Sequence, residues 1–169
     1  MALYTIWNGP SPTTAAQVPV TTGTVIKTLL QVASGATKSL KIKEWGVSFD
    51  GFAAALPIRC ELIETDVAAT VTAHVTAGIV KTDNDALIGG DPVTNLIPVG
   101  TATTGYTASA EGAITASRVL DAQLVAPTNQ YVKQYPLGAE PIIQISKFGR
   151  IRVTAGTAVN AYCYIVVEV

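Results

Sequence analysis

The residues in this chain that could do chemistry are few, and their spacing does not bring them together. A single histidine, His74, lies in ATVTAHVTAG. To act as a general base it would need a serine or cysteine within hydrogen-bond reach, and no serine sits in a G-x-S-x-G turn. Two cysteines, Cys60 and Cys163, are too few for a disulfide framework and lack metal-type spacing. Cys60 alternates with Ile58 and Leu62, and Cys163 lies in an apolar run, so both read as buried thiols behaving as small hydrophobes. A bridge between two neighbouring strands is the alternative.

Carboxylates give little more. Asp83, Asn84 and Asp85, with Asp91 further on, carry oxygens that suit calcium. They lack the D-x-D-x-D-G spacing and distal glutamate of a calcium loop, so a turn-forming loop is the expectation. Glu61, Glu64 and Asp66 invite comparison with a glycosidase acid pair, yet carboxylates along one alternating strand need not converge. Gly89-Gly90-Asp91-Pro92 is a turn and not a phosphate loop, because no Lys-Ser/Thr follows. The expectation is a protein with no catalytic set, no metal and no cofactor.

Composition agrees with a chain that works by contact. Of 169 residues only 14% are charged, the net charge is −1, and no Lys/Arg run exists for phosphate neutralisation. Nucleic acid is therefore not an expected partner. No window approaches the eighteen or so consecutive apolar residues of a membrane helix. MALYTIWNGPSP lacks the basic start and apolar run of a secretory signal, so synthesis and retention in the cytoplasm are expected. A surface this poor in charge has little solubility reserve and suits an assembled state.

The elements that must position these residues are strands. No apolar stripe at helical spacing persists for three turns, whereas alternation recurs. Leu3 to Trp7, Thr24 to Ala33, Ser39 to Phe49, Pro57 to Thr65, Tyr106 to Ala110, Ser117 to Ala126 and Gln130 to Leu137 all read as strands. Asp66 to Val80 fits an extended segment or a loop with one short helix. In RIRVTA, Ile151 and Val153 are expected inward and Arg150 and Arg152 outward. This strand and the final one, Ala158 to Val169, are expected to form a hairpin. The final strand is apolar on both faces and therefore central or covered.

One strand changes parity. Leu40 and Ile42 are apolar at even positions, Trp45, Val47 and Phe49 at odd ones, with Lys43-Glu44 at the join. An inserted residue there, a β-bulge, would let all five side chains enter one core. Sandwich corners use this device where a strand passes from one sheet to another. Roughly eight to ten strands between turn signals point to a single all-β domain over residues 1–169, a jelly-roll-like or other Greek-key sandwich. An N-terminal strand and arm occupy residues 1–17, and a long irregular loop residues 81–101.

EWGVSFDG (44–51), TGYTASAEG (104–112), QYVKQYPLG (130–138) and RIRVTAGTAVNAYCYIVVEV (150–169) carry a resemblance over most of the chain. The chain resembles the small auxiliary proteins encoded beside the major capsid protein of tailed bacteriophages, particularly those of actinobacteria. That resemblance implies a virion decoration or minor capsid protein, often a trimeric β-sandwich, that binds the major capsid protein on the outer shell after expansion. It supplies no site motif.

Three contact elements follow from the residues. The arm offers Tyr4, Trp7, Pro10 and Pro12; the long loop offers Leu87 and Ile88; the strand near Tyr131 and Tyr135 offers rings and unpaired backbone. The other reading is a carbohydrate-binding sandwich with an aromatic platform drawn from Trp7, Trp45, Tyr131, Tyr135, Tyr162 and Tyr164. In that reading Trp45 still belongs to the core, because it alternates with Val47 and Phe49.

Overall fold

Alternation of branched apolar and polar residues builds two antiparallel sheets that pack face to face in a computed structural model describing residues 2–52, 56–82 and 96–169. The strands are β1 (Leu3–Trp7), β2 (Val20–Thr21), β3 (Lys27–Ala33), β4 (Leu40–Phe49), β5 (Ile58–Thr65), β6 (Thr70–Ala73) and β7 (Ile79–Lys81). They continue as β8 (Gly105–Ala110), β9 (Ser117–Val125), β10 (Gln130–Gln134), β11 (Ile142–Ile143), β12 (Phe148–Thr154) and β13 (Asn160–Glu168). The first sheet runs β10-β4-β13-β1-β7, with β11 added to β4 and β2 to β13; the second runs β6-β8-β3-β12-β5-β9.

Eight of these strands define the topology. Numbered along the chain, β1, β3, β4, β5, β9, β10, β12 and β13 fall in the orders 1-8-3-6 and 2-7-4-5. Successive strands therefore alternate between sheets except at one step, which is the jelly roll, two interlocked Greek keys. The expected sandwich is present. The expected hairpin between the last two long strands is not. β12 lies in the second sheet and β13 in the first, so residues 155–159 cross between layers. Alternation fixes which face of a strand is buried but not which strand it pairs with, so the turn was misread as a hairpin.

The core lies between the sheets. Tyr4, Ile6, Leu40, Ile42, Trp45, Cys163 and Ile165 come from the first sheet, and Ile58, Cys60, Leu62, Ile151 and Val153 from the second. Each large side chain buried this way contributes about 1.5–3 kcal/mol. Tyr4 is fully buried, so it is a core residue and not an arm contact.

The parity switch in β4 is a bulge. Glu44 pairs Val166 while Ile42 pairs Val167, which leaves Lys43 as the extra residue. Leu40, Ile42, Trp45, Val47 and Phe49 all reach the same interior. The strand does not change sheets there. The bulge instead divides its edge between two partners, β10 along Glu44 to Ser48 and β11 along Leu40 and Lys41. The displaced Lys43 ammonium pairs Glu140 at 2.5 Å and Glu168 at 3.1 Å.

Between β5 and β9 the described parts of an insertion, residues 66–82 and 96–116, lengthen both sheets on one side. β6 and β8 extend the second sheet beyond β3, and β7 extends the first beyond β1. Asp66 to Val80, ambiguous in sequence, is β6, a short 3-10 turn (Thr76–Gly78) and the start of β7.

Candidate functional site

The chemistry-bearing residues that the structure describes are each engaged in holding the fold. His74 is buried, its Nε2 2.7 Å from the Trp7 carbonyl and its ring edge-on to Tyr106 at 4.9 Å. Burial lowers its pKa, against the opposing effect of that hydrogen bond, so the imidazole is neutral and donates from Nε2. Cys60 and Cys163 are free thiols; burial pushes Cys60 up to about 12 and Cys163 well above its ordinary range. Neither is a thiolate at neutral pH, which is the form a nucleophile or metal ligand requires. Among the described residues no cluster of His, Cys, Asp and Glu could hold a metal. Asp83, Asn84, Asp85, Leu87, Ile88 and Asp91 lie outside the described residues.

The three suspected acids are each taken up by a different partner, although Glu64 and Asp66 line one small pocket. Glu64 accepts a two-point contact from Arg118, both bonds at 2.8 Å, and Glu61 pairs Arg152 at 2.8 Å. Asp66 accepts the Thr115 hydroxyl and the backbone N–H groups of Thr115 and Ala116 at 3.2 and 3.1 Å. Those bonds, led by the Thr115 hydroxyl, hold its carboxyl at about 2.

Sequence reasoning missed a buried carboxylate, Asp121 of β9. It accepts from Trp45 Nε1 at 3.2 Å and from the Tyr131 hydroxyl at 2.9 Å, and pairs with Lys133 at 3.3 Å. Burial opposes its ionisation, but the bonds from Tyr131 and Gln123 and the Lys133 charge outweigh that and lower its pKa. It joins the edge strands of the two sheets, β9 and β10. Tyr131 packs on Trp45 with ring centroids 5.3 Å apart, and Tyr135 packs against the same core. Both were expected as surface anchors. They are half-buried and turned inward: β10 puts Tyr131 on its core side, and Tyr135, just past its end and bonded through its N–H to the Lys43 carbonyl, follows the same alternation.

Three aromatic side chains, Trp7, Tyr162 and Tyr164, gather on the outer face of the first sheet. Three cross-strand rows cover its outer face: Trp7, Tyr164, Gly46 and Val132; Tyr162, Ser48 and Gln130; and Thr5, Val166, Glu44 and Gln134. In the first row, the ring of Tyr164 lies across Gly46. A Cβ at that glycine would meet Tyr164 Cε1 at 2.6 Å, so glycine is what lets the ring lie against the sheet. Trp7 closes one side, its ring centroid 4.8 Å from that of Tyr164 at an interplanar angle of 36°.

The tyrosine hydroxyls are already committed. Tyr164 donates to the Glu44 carboxylate and Tyr162 to the Gln17 carbonyl of the arm. Burial, followed by the Glu44 bond, raises the Tyr164 pKa, so it stays a donor. Gln134 also donates to Glu44, at 2.6 Å. Between Trp7, Tyr162, Tyr164, Gln130 and Val132 lies a depression of about 240 Å³. Gly46 was legible as a glycine inside a strand; the rows required the register.

A second apolar surface lies at one end. The loops after β1, β4, β9 and β12 all leave from it, and Val18, Val25, Phe52 and Leu56 there are 57–73% exposed. Pro10 and Pro12 are exposed in the arm, whose Ser11 hydroxyl donates to the Ala77 carbonyl at 2.9 Å. These features define an eight-strand jelly-roll sandwich with an inserted flap, an aromatic outer face and an apolar tip. No protein-family model matches the chain, and no curated protein or solved structure does either. No helix among the described residues is long and apolar enough to cross a membrane.

Proposed function

We propose that this protein is a virion structural protein that binds the outer surface of a tailed-phage capsid as a decoration protein and stabilises the shell. The observation that carries the reading is the apolar tip: Val18, Val25, Phe52 and Leu56 stand in water beside an exposed proline-bearing arm. Apolar side chains exposed together mark a contact surface more often than they mark nothing. Burying them supplies about 25 cal/mol per Å² before association costs. The resemblance of residues 44–51, 104–112, 130–138 and 150–169 to phage auxiliary proteins supports the same assignment. Many identical modest contacts on a closed shell then hold through avidity, and a homotrimer would multiply them threefold.

The test is co-sedimentation with expanded capsids and with free coat subunits. Binding to capsids alone is expected, with loss in the Phe52→Ser, Leu56→Ser double variant. A folded protein that ignores expanded capsids would overturn the reading.

A further inference from the structure

From the outer face of the first sheet we infer a second binding site, for a neutral saccharide ring. This site goes beyond the capsid reading: it lies on the sheet face and meets the arm where Tyr162 holds the Gln17 carbonyl beside Val18. Tyr164 spread over Gly46 and Trp7 tilted beside it form an apolar corner, both residues partly exposed. The apolar C–H face of a pyranose stacks on such rings, while its hydroxyls need polar partners around the edge. Ser48 and Gln130 stand in the next row, and neither side chain bonds to another described residue. Their hydroxyl and carboxamide offer both donors and acceptors in one place.

Size and charge narrow the ligand class. The depression, about 240 Å³, is smaller than the ~300–1,000 Å³ of sites for drug-sized ligands, which matches the seating of a single ring. No basic side chain lines it, and the Glu44 carboxylate stands one row away. An anionic sugar or phosphate would find no counter-charge and a repelling neighbour. A β-strand peptide is also a poor fit, because it needs a free sheet edge and this site lies on a paired face.

The protein reports on the site itself. It has two tryptophans, Trp7 in the corner and Trp45 fully buried, so a ligand-dependent change in fluorescence arises from Trp7. The experiment titrates the full chain with methyl glycosides of glucose, galactose, mannose and N-acetylglucosamine, and follows with a neutral-glycan array. Saturable quenching or enhancement by at least one of them is expected. Gln130→Ala, at an exposed position, should weaken it about tenfold through a lost hydrogen bond. On the array, Trp7→Ala should abolish binding while keeping the wild-type circular dichroism spectrum. No saturable response from folded wild-type protein, or array binding unchanged in Trp7→Ala and Gln130→Ala, would overturn the proposal. Capsid co-sedimentation of Gln130→Ala should stay at the wild-type level, so that failure of the saccharide site and failure of the capsid reading are told apart.

Discussion

The two sheets of the sandwich treat their outer faces differently. On the second sheet, the region around Arg150 is covered by the chain itself. Arg150 is fully buried, although alternation in RIRVTA predicts an outward, solvated side chain. It does point outward, beside Gln31 and Ile63 in register, but the inserted segment lies over it. Its guanidinium donates to the Val67 carbonyl, and to the Glu111 carbonyl at 3.0 Å. The Glu111 carboxylate accepts from the Thr28 N–H and hydroxyl at 2.5 and 2.6 Å, and Gln31 bonds the backbone of Ala69 and Thr103. The polar groups around Arg150 on this face fasten the insertion. On the first sheet, the outer face carries Trp7, Tyr162 and Tyr164 around a depression, and the side chains of Ser48 and Gln130 bond to no other described residue. One face is used for stability and the other is left for recognition.

Substitutions separate the two roles. Arg150→Ala has the largest expected effect, because it leaves the Glu111 carboxylate without its buried partner and the Val67 carbonyl with the Thr65 hydroxyl as its remaining donor. Breaking a buried pair this way costs about 3–5 kcal/mol, to be read from the urea midpoint. Gly46→Ala on the other face should cost less, about 1–3 kcal/mol, because the clash at 2.6 Å is with a side-chain ring that can swing away. Its larger consequence is for recognition, since the displaced Tyr164 no longer forms the corner.

A pH experiment probes the insertion again. The folded Asp66 carboxyl sits at about 2, below its ordinary 3.8, so the unfolded chain binds its proton first as pH falls. The contribution of Asp66 is therefore complete above about pH 4 and lost between there and about 2. Acid titration of wild type against Asp66→Asn should show that window only in wild type. Gln130→Ala should change stability by no more than about 0.5 kcal/mol, as exposed positions generally do.

Much of this fold was legible in the sequence, and the limits have physical causes. The bulge at Lys43 could be read because five apolar residues changed parity around two charges, a local signal with one geometric solution. The burial of Arg150 could not, since a strand's own pattern says which way a side chain points and nothing about what is laid across it. Trp7 and Tyr164 are 157 positions apart and meet only because β1 pairs β13. Tyr162 and Tyr164 were recognisable as sharing a face, but Ser48 and Gln130 joined them only through register.

The most direct test of the division between faces is hydroxyl-radical footprinting of the free, folded protein, read residue by residue. Trp7, Tyr162 and Tyr164 should be oxidised readily, while Ile63 beneath the insertion, like Trp45 in the core, should stay unmodified. Oxidation of Ile63 as fast as that of Tyr164 would contradict the account.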